Sequence, residues 1–410
     1  MAKTDTATVA EPPEAPPTEI DEGGGKLFRL ASRVFAERIP GAVRLGDAWA
    51  PEPLKGLTKR VSCPDPASWA DLVKAQPGFG EGAFPLPSAS VQQLQRASLL
   101  HHARVEGFVF TEGPCFVRES RGSPRVNPGN DLVRFIGRDW FLGTEHPVAG
   151  RLRRAAVCYD SASRNYAHFL MIFLPRIVFA NRRVSDTPFI VPDLPSYAAG
   201  GAGIRNEMLS RLADIFPLDQ GNFYWPLQDG RWSVDEIAVV AAGPDRWGLI
   251  FHPDVQACFT RIAREALRRR DLLRGEGETP RRIYVSRQGA QRRRVVNQET
   301  LDPVLARHGF VPVRLETLDF FEQAALFARA EAVIGLHGAG LANMLFNDGR
   351  ATLLELYPEG EAQPHFANSA LSRGCRYVPL RCRKTSKHRD VEIDPAAVEA
   401  ALSRLPPRKG

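Results

Sequence analysis

From residue 282 onward, short apolar runs alternate with stretches of helical spacing. The runs at 282–285, 311–315, 332–336, 352–356 and 376–380 predict strands, and 298–307, 320–328, 341–347 and 367–374 predict the helices between them. Short buried strands separated by helices imply a parallel sheet wound with right-handed crossovers. The pattern predicts a Rossmann-like domain over 246–400, opened by a helix over 254–273 whose apolar face carries Val255, Cys258, Phe259, Ile262, Ala266 and Leu267. In such a sheet, ligands bind beyond the carboxyl ends of the strands.

Upstream, apolar bursts at 154–159, 188–191 and 236–240 alternate with helix-like stretches, so 91–245 predicts a second α/β layer. Residues 27–90 are irregular and punctuated by Pro, which predicts loops and short elements packed on a larger body. Residues 1–26 are rich in Pro, Thr, Glu and Gly and too poor in large apolar side chains to offset the entropy of ordering. They predict a disordered tail, and 401–410 a second short tail. With 410 residues and 43% hydrophobic composition, the chain has the size of two domains.

No apolar run approaches the length of a spanning helix, and the N-terminus lacks the order of a signal peptide. The expected location is the cytoplasm or the cytoplasmic face of a membrane. Cys63, Cys115, Cys158, Cys258, Cys375 and Cys382 are scattered, so neither a disulfide framework nor a metal knuckle is indicated, and N-x-[ST] is absent. The net charge of +7 raises nucleic acid as a partner, but only eight of the 54 basic residues are Lys and the Arg residues are spread along the chain. Denser clusters at 151–154, 264–270 and 292–294 suit phosphates, an anionic polymer or an acidic membrane surface; the alternative for 264–270 is a solvated helix face.

The strongest local signal is A-V-I-G-L-H-G-A-G-L-A-N at 332–343, an apolar strand running into a Gly-rich turn and a helix. Such a turn offers backbone N–H groups to an anion, with Gly338 and Gly340 permitting close approach, His337 adding a donor, and Ala339 and Leu341 completing the loop. The same pattern also fits a tight structural turn with a packed His. Asn343 stands where a dinucleotide fingerprint needs Gly, and no Lys-Ser or Lys-Thr pair follows, so neither a dehydrogenase nor a P-loop is supported.

A second signal, I-Y-V-S-R-Q-G-A-Q-R-R-R at 283–294, brings Ser286 and Arg287 to the same sheet edge, with Arg292 as a phosphate contact or a solvated side chain. A third, R-N-Y-A-H-F-L at 164–170, sets His168 in an apolar helix, as a core residue or a base. Glu355 is expected to close its strand at the binding edge and accept ribose hydroxyls, or to be a strand-end surface charge. Asn343 is read as a helix cap or donor contact, and Gln323 as a support.

Taken in order, N-Y-A-H-F-L, I-Y-V-S-R, G-F-V-P-V, E-Q-A-A-L-F-A-R-A, H-G-A-G-L-A-N and L-L-E-L-Y-P resemble family 61 glycosyltransferases, which include plant xylosyltransferases and animal enzymes adding N-acetylglucosamine or xylose. The resemblance covers 154–358. It implies a GT-B arrangement of two Rossmann-like domains, with the acceptor on 91–245 and the nucleotide sugar, expected to be a UDP-sugar, on 246–400. It also implies inverting transfer to a glycan or polysaccharide hydroxyl, with no cofactor and no metal. Consistently, no D-x-D ends a strand, and Asp390, Glu392 and Asp394 read as a solvated edge. His168 is the expected base, with Asp160 or Asp193 as substitutes; Ser286, Arg287, Arg292, His337 and the loop through Asn343, with Glu355, form the expected donor site. The rivals are another nucleotide-dependent Rossmann enzyme and a non-enzymatic basic protein binding polysaccharide or nucleic acid.

Overall fold

The computed structural model describes residues 19–21, 26–33, 42–84, 86, 88–102, 106–110, 115–117, 133–136, 139–143, 148–158, 165–184, 186–190, 223–224, 230–242, 247–274, 279–290 and 292–405. The architecture is α/β. In the C-terminal half, five parallel strands follow one another along the chain: Arg282–Val285, Val311–Val313, Ala332–Leu336, Thr352–Pro358 and Arg376–Lys384. In space their order is second, first, third, fourth, fifth, with Val391–Glu392 added antiparallel at the edge.

Both faces of this sheet are covered, which is why its inner strands read as unbroken apolar runs. On one face Ile334, Leu336, Leu354 and Leu356 pack with Leu301 and Val304 of the Gln298–Arg307 helix and Val398 of the Pro395–Leu402 helix. On the other, Val333 and Leu353 pack with Phe320 and Ala324 of the Phe320–Arg329 helix and Phe366 of the His365–Ser372 helix. The Phe320–Arg329 helix starts in a capping box: Asp319 accepts from the Glu322 N–H while Glu322 accepts from that of Asp319. The Pro253–Arg274 helix lies beside it.

The N-terminal sheet differs from a Rossmann-like layer. Phe223–Tyr224, Phe189–Ile190, Val148–Val157 and Gly230–Ala242 run parallel, but Ala89–His102 then pairs antiparallel with Gly230–Ala242, and Glu106–Phe110 and Cys115–Val117 continue antiparallel. Lys26–Arg33, Asp139–Gly143 and Val133–Ile136 extend it further.

The described residues of 27–90 are more ordered than their Pro content predicts. Val43–Trp49 joins the large sheet, and the Pro66–Ala75 helix packs on the Arg376–Lys384 strand of the C-terminal half. Asp65 caps that helix and Pro66 opens it, a position where the missing N–H costs nothing. Most of the expected tail 1–26 lies outside the described residues, but Glu19–Asp21 pairs with Lys26–Arg33.

Cys63, Cys158, Cys258, Cys375 and Cys382 are free thiols, and burial pushes each up to about 12, so they stay protonated and unreactive. Among the described residues no helix is long and apolar enough to cross a membrane.

Arg373 ties the Pro253–Arg274 helix to the C-terminal sheet. Its guanidinium donates to the Asn347 carbonyl at 2.9 Å, to the Gln256 carbonyl and Oε1 at 3.1 and 2.6 Å, and to Thr260 Oγ1 at 2.9 Å. Because removal leaves several of these acceptors unpaired, Arg373→Ala is expected to lower stability by about 2–4 kcal/mol. Urea denaturation of both proteins checks this; equal midpoints would contradict it.

Candidate functional site

The order of the C-terminal strands reverses between Arg282–Val285 and Ala332–Leu336, since the second strand lies to one side of the first and the third to the other. Crossovers on opposite faces leave a crevice beyond the carboxyl ends of these two strands. Ser286 and Arg287 follow one of them; His337 and Gly338 follow the other.

The Gly-rich turn is short and tightly packed. The His337 N–H donates to the Leu356 carbonyl at 2.6 Å, Gly338 is extended, and the 3-10 helix Ala339–Phe346 begins. The Leu341 N–H is the first in this turn to bond within it, to the Gly338 carbonyl at 3.0 Å, so the preceding amides start the helix as donors. A Cβ on Gly340 would come within 2.6 Å of Leu315 Cδ1, and one on Gly338 within 3.1 Å of Arg287 Nη1. Both glycines are therefore needed for close approach, and the second contact sets the Arg287 guanidinium against the turn. Leu341 is buried beneath it.

Arg287 donates to the Arg292 carbonyl at 2.9 Å, while its Nε is buried with no hydrogen-bond partner. Arg293 donates to the His337 carbonyl at 3.0 Å from a left-handed backbone, φ 57°. Burial lowers the pKa of Arg293, and the cations Arg389 and Arg287 lower it further. Burial likewise lowers that of Arg287. Arg287 and Arg293 thus share one rim of the turn, where an anion would relieve their repulsion, while Arg389, whose charge Arg293 also feels, is paired with Glu361 at 2.9 Å. Arg293 was missed in the sequence because nothing distinguishes it from its neighbours; Arg292, singled out there, is exposed and contributes its carbonyl to Arg287. Ser286 Oγ accepts from the Gln288 N–H at 3.2 Å and shapes the loop.

Two expected donor contacts have other roles. Glu355 does not end its strand, which runs on to Pro358, and it is 1% exposed. Its Oε1 lies 2.5 Å from His337 Nδ1, and its Oε2 accepts from the Tyr377 hydroxyl at 2.9 Å, so both oxygens are engaged within the protein. Asn343 is 0% exposed and does not cap the helix. Its Nδ2 donates to Gln323 Oε1 at 3.0 Å, its Oδ1 accepts from the Tyr166 hydroxyl at 2.6 Å, and Gln323 donates to the Leu315 and Leu318 carbonyls.

The Tyr166 contact brings the His168 helix to the Gly-rich turn. His168 stacks edge-on against Trp247 at 5.0 Å, Trp247 lies 4.4 Å from His365, and His365 lies 6.5 Å from His337. A π-helical turn, Phe169–Phe173, follows His168, where Pro175 cannot supply the regular α-helical N–H. Asp160 and Asp193 lie outside the described residues.

The basic clusters away from the turn are largely ion-paired. Arg151 and Arg154 meet Asp235 and Glu236, Arg268 and Arg269 meet Glu265, and Arg294 meets Asp390. Asp394 caps the Pro395–Leu402 helix, and Glu392 pairs with Arg383.

These features define an α/β chain with a Gly-rich turn at the switch point of its sheet. Residues 166–354 match the family model described as Glycosyltransferase 61. It is 27% identical over 240 residues to an EGF domain-specific O-linked N-acetylglucosamine transferase of Gallus gallus, covering 55% of this chain and 43% of the relative. The counterpart of that name from Mus musculus is 26% identical over 238 residues, covering 54% and 44%. A beta-1,2-xylosyltransferase of Oryza sativa subsp. japonica is 32% identical over 127 residues, covering 29% and 22%. The chain spans less than half the length of these curated relatives.

Asn343→Ala would strand the Tyr166 hydroxyl and the Gln323 side chain in the interior, so a stability loss of about 2–4 kcal/mol is expected. Thermal unfolding measures this. A variant as stable as the parent, but unable to bind a nucleoside diphosphate, would return Asn343 to the ligand.

Proposed function

We propose that this protein is an inverting glycosyltransferase that moves a sugar from a nucleoside diphosphate donor, a UDP-sugar, to a hydroxyl of a glycan or polysaccharide. The observation that carries this is the placement of Arg287 and Arg293 against the Gly-rich turn of Gly338 and Gly340 at the switch point. Fixed donors and guanidinium groups aimed at one place suit a diphosphate whose charge grows as it leaves. The relatives named as sugar transferases support the same chemistry.

The acceptor hydroxyl attacks the anomeric carbon from the face opposite the diphosphate. The new C–O bond forms as the C–O bond to phosphate breaks, the leaving nucleotide takes the electron pair, and His168 takes the hydroxyl proton. The cations at the turn carry the leaving group's charge, so no divalent metal is needed there. Ion pairing of the clusters at 151–154 and 264–270 favours a small anionic donor over a long polyanion or an acidic membrane surface.

Calorimetry with UDP in the presence of a chelator should give binding, and Arg287→Ala should weaken it about tenfold or more while the fold is kept. Binding seen only after magnesium or manganese is added would remove the metal-free reading. His168→Asn should keep UDP affinity and thermal midpoint but lower turnover by about 10² to 10⁴. Near-normal transfer by this variant would place the base elsewhere.

A further inference from the structure

Glu355 is a carboxylate in the fourth of five parallel strands, flanked by Gly335 and Pro379 in register and shielded from solvent. A buried carboxylate is costly unless its charge is met. Tyr377 meets it only as a neutral donor, because burial first and the Glu355 charge second push the phenol well above its ordinary range. Arg293 feels the same carboxylate but donates to the His337 carbonyl. The cation that can touch Glu355 directly is therefore the imidazole of His337, at 2.5 Å. That ring is wedged against Phe366, with centroids 4.8 Å apart.

We propose that Glu355 and Tyr377 are positioning residues that hold His337 as a doubly protonated imidazolium, its Nδ1–H given to Glu355 and its Nε2–H presented to the leaving phosphate. The ligand half of this rests on the function proposed above; the charge state does not. An imidazole that gives its only proton to Glu355 would offer phosphate a lone pair and repel it. The other charged or titratable groups facing the ring are Arg287 at Gly338, Arg293 at the His337 carbonyl and His365 across 6.5 Å; when charged, all three oppose the imidazolium. Glu355 outweighs them because it is in direct contact and buried, where Coulomb attraction is least screened.

Nitrogen-15 NMR of the His337 ring in the full chain tests the charge state. At about pH 7.5 both ring nitrogens should be protonated in the parent, with or without UDP, and only one in Glu355→Gln. UDP titrations should show Glu355→Gln about tenfold weaker than the parent near pH 8.5 and recovering towards it near pH 6, where solvent supplies the proton that the carboxylate no longer holds. Tyr377→Phe, which removes one hydroxyl, should give an intermediate shift and covers the case in which Glu355→Gln fails to fold. A singly protonated parent ring, or an affinity loss equal at both pH values, overturns the proposal. A doubly protonated ring in a parent that binds no nucleoside diphosphate upholds the charge state and overturns the functional reading instead.

Discussion

A parallel sheet can be covered on both faces only if its crossovers leave from opposite sides, and in this chain they do so between Arg282–Val285 and Ala332–Leu336. The helix after the first strand, Gln298–Arg307, packs on one face, and the helix before the third, Phe320–Arg329, packs on the other. The loops that begin these excursions must part, and their parting opens the crevice. The rest of the site follows from that geometry. Ser286 and Arg287 start one loop, His337 and Gly338 the other, and the absence of a side chain at Gly338 lets the Arg287 guanidinium lie against the second loop.

Placing cations there is expensive. Arg287 and Arg293 are each partly desolvated, and Arg293 also feels two like charges and a left-handed backbone. A chain selected for stability alone has little reason to gather these groups beside open amides, whereas a chain that binds an anion recovers the cost on binding. The ion pairs at Arg151, Arg154, Arg268 and Arg269 show how the same protein treats guanidinium groups elsewhere: a carboxylate stands within 3 Å of each.

Most of the C-terminal half was legible because its strands are buried on both sides. Continuous apolar runs between helical repeats leave few alternatives, and the predicted and observed elements from 282 to 380 agree to within about two residues at most ends. The Gly-rich turn was legible for the same reason, as a break between a strand and a helix. Glu355 was misplaced because the strand was ended at residue 356, one turn of the pleat too early; Tyr357 and Pro358 do not look apolar enough to extend it, yet they pair with Arg381 and Cys382. Residues 27–90 were read as irregular because Pro64, Pro66 and Pro77 look like breaks, although Pro66 is a helix start. The antiparallel pairing of Ala89–His102 with Gly230–Ala242 joins segments more than a hundred residues apart, a distance over which local periodicity carries no information.

Long-range packing also fixes where His168 stands relative to the turn. The helix that bears it is buried along its length from Phe169 to Ala180, so its position is set by the core it shares with Leu341, Phe346 and Phe366 of the C-terminal half. Two polar bonds fix its rotation in that core: Tyr166 to Asn343 at one end and Ser369 to the Met171 sulfur further along. With Tyr166 held, a residue two positions on cannot swing freely, and the His168 ring meets Trp247 as its wall. The row of rings from His168 through Trp247 and His365 to His337 then spans from one half of the chain to the other without a hinge in the side chains themselves. In the mechanism we propose, a base and a leaving-group donor at opposite ends of this row would keep their separation, which is the geometric condition for attack on one face of a sugar while the diphosphate departs from the other.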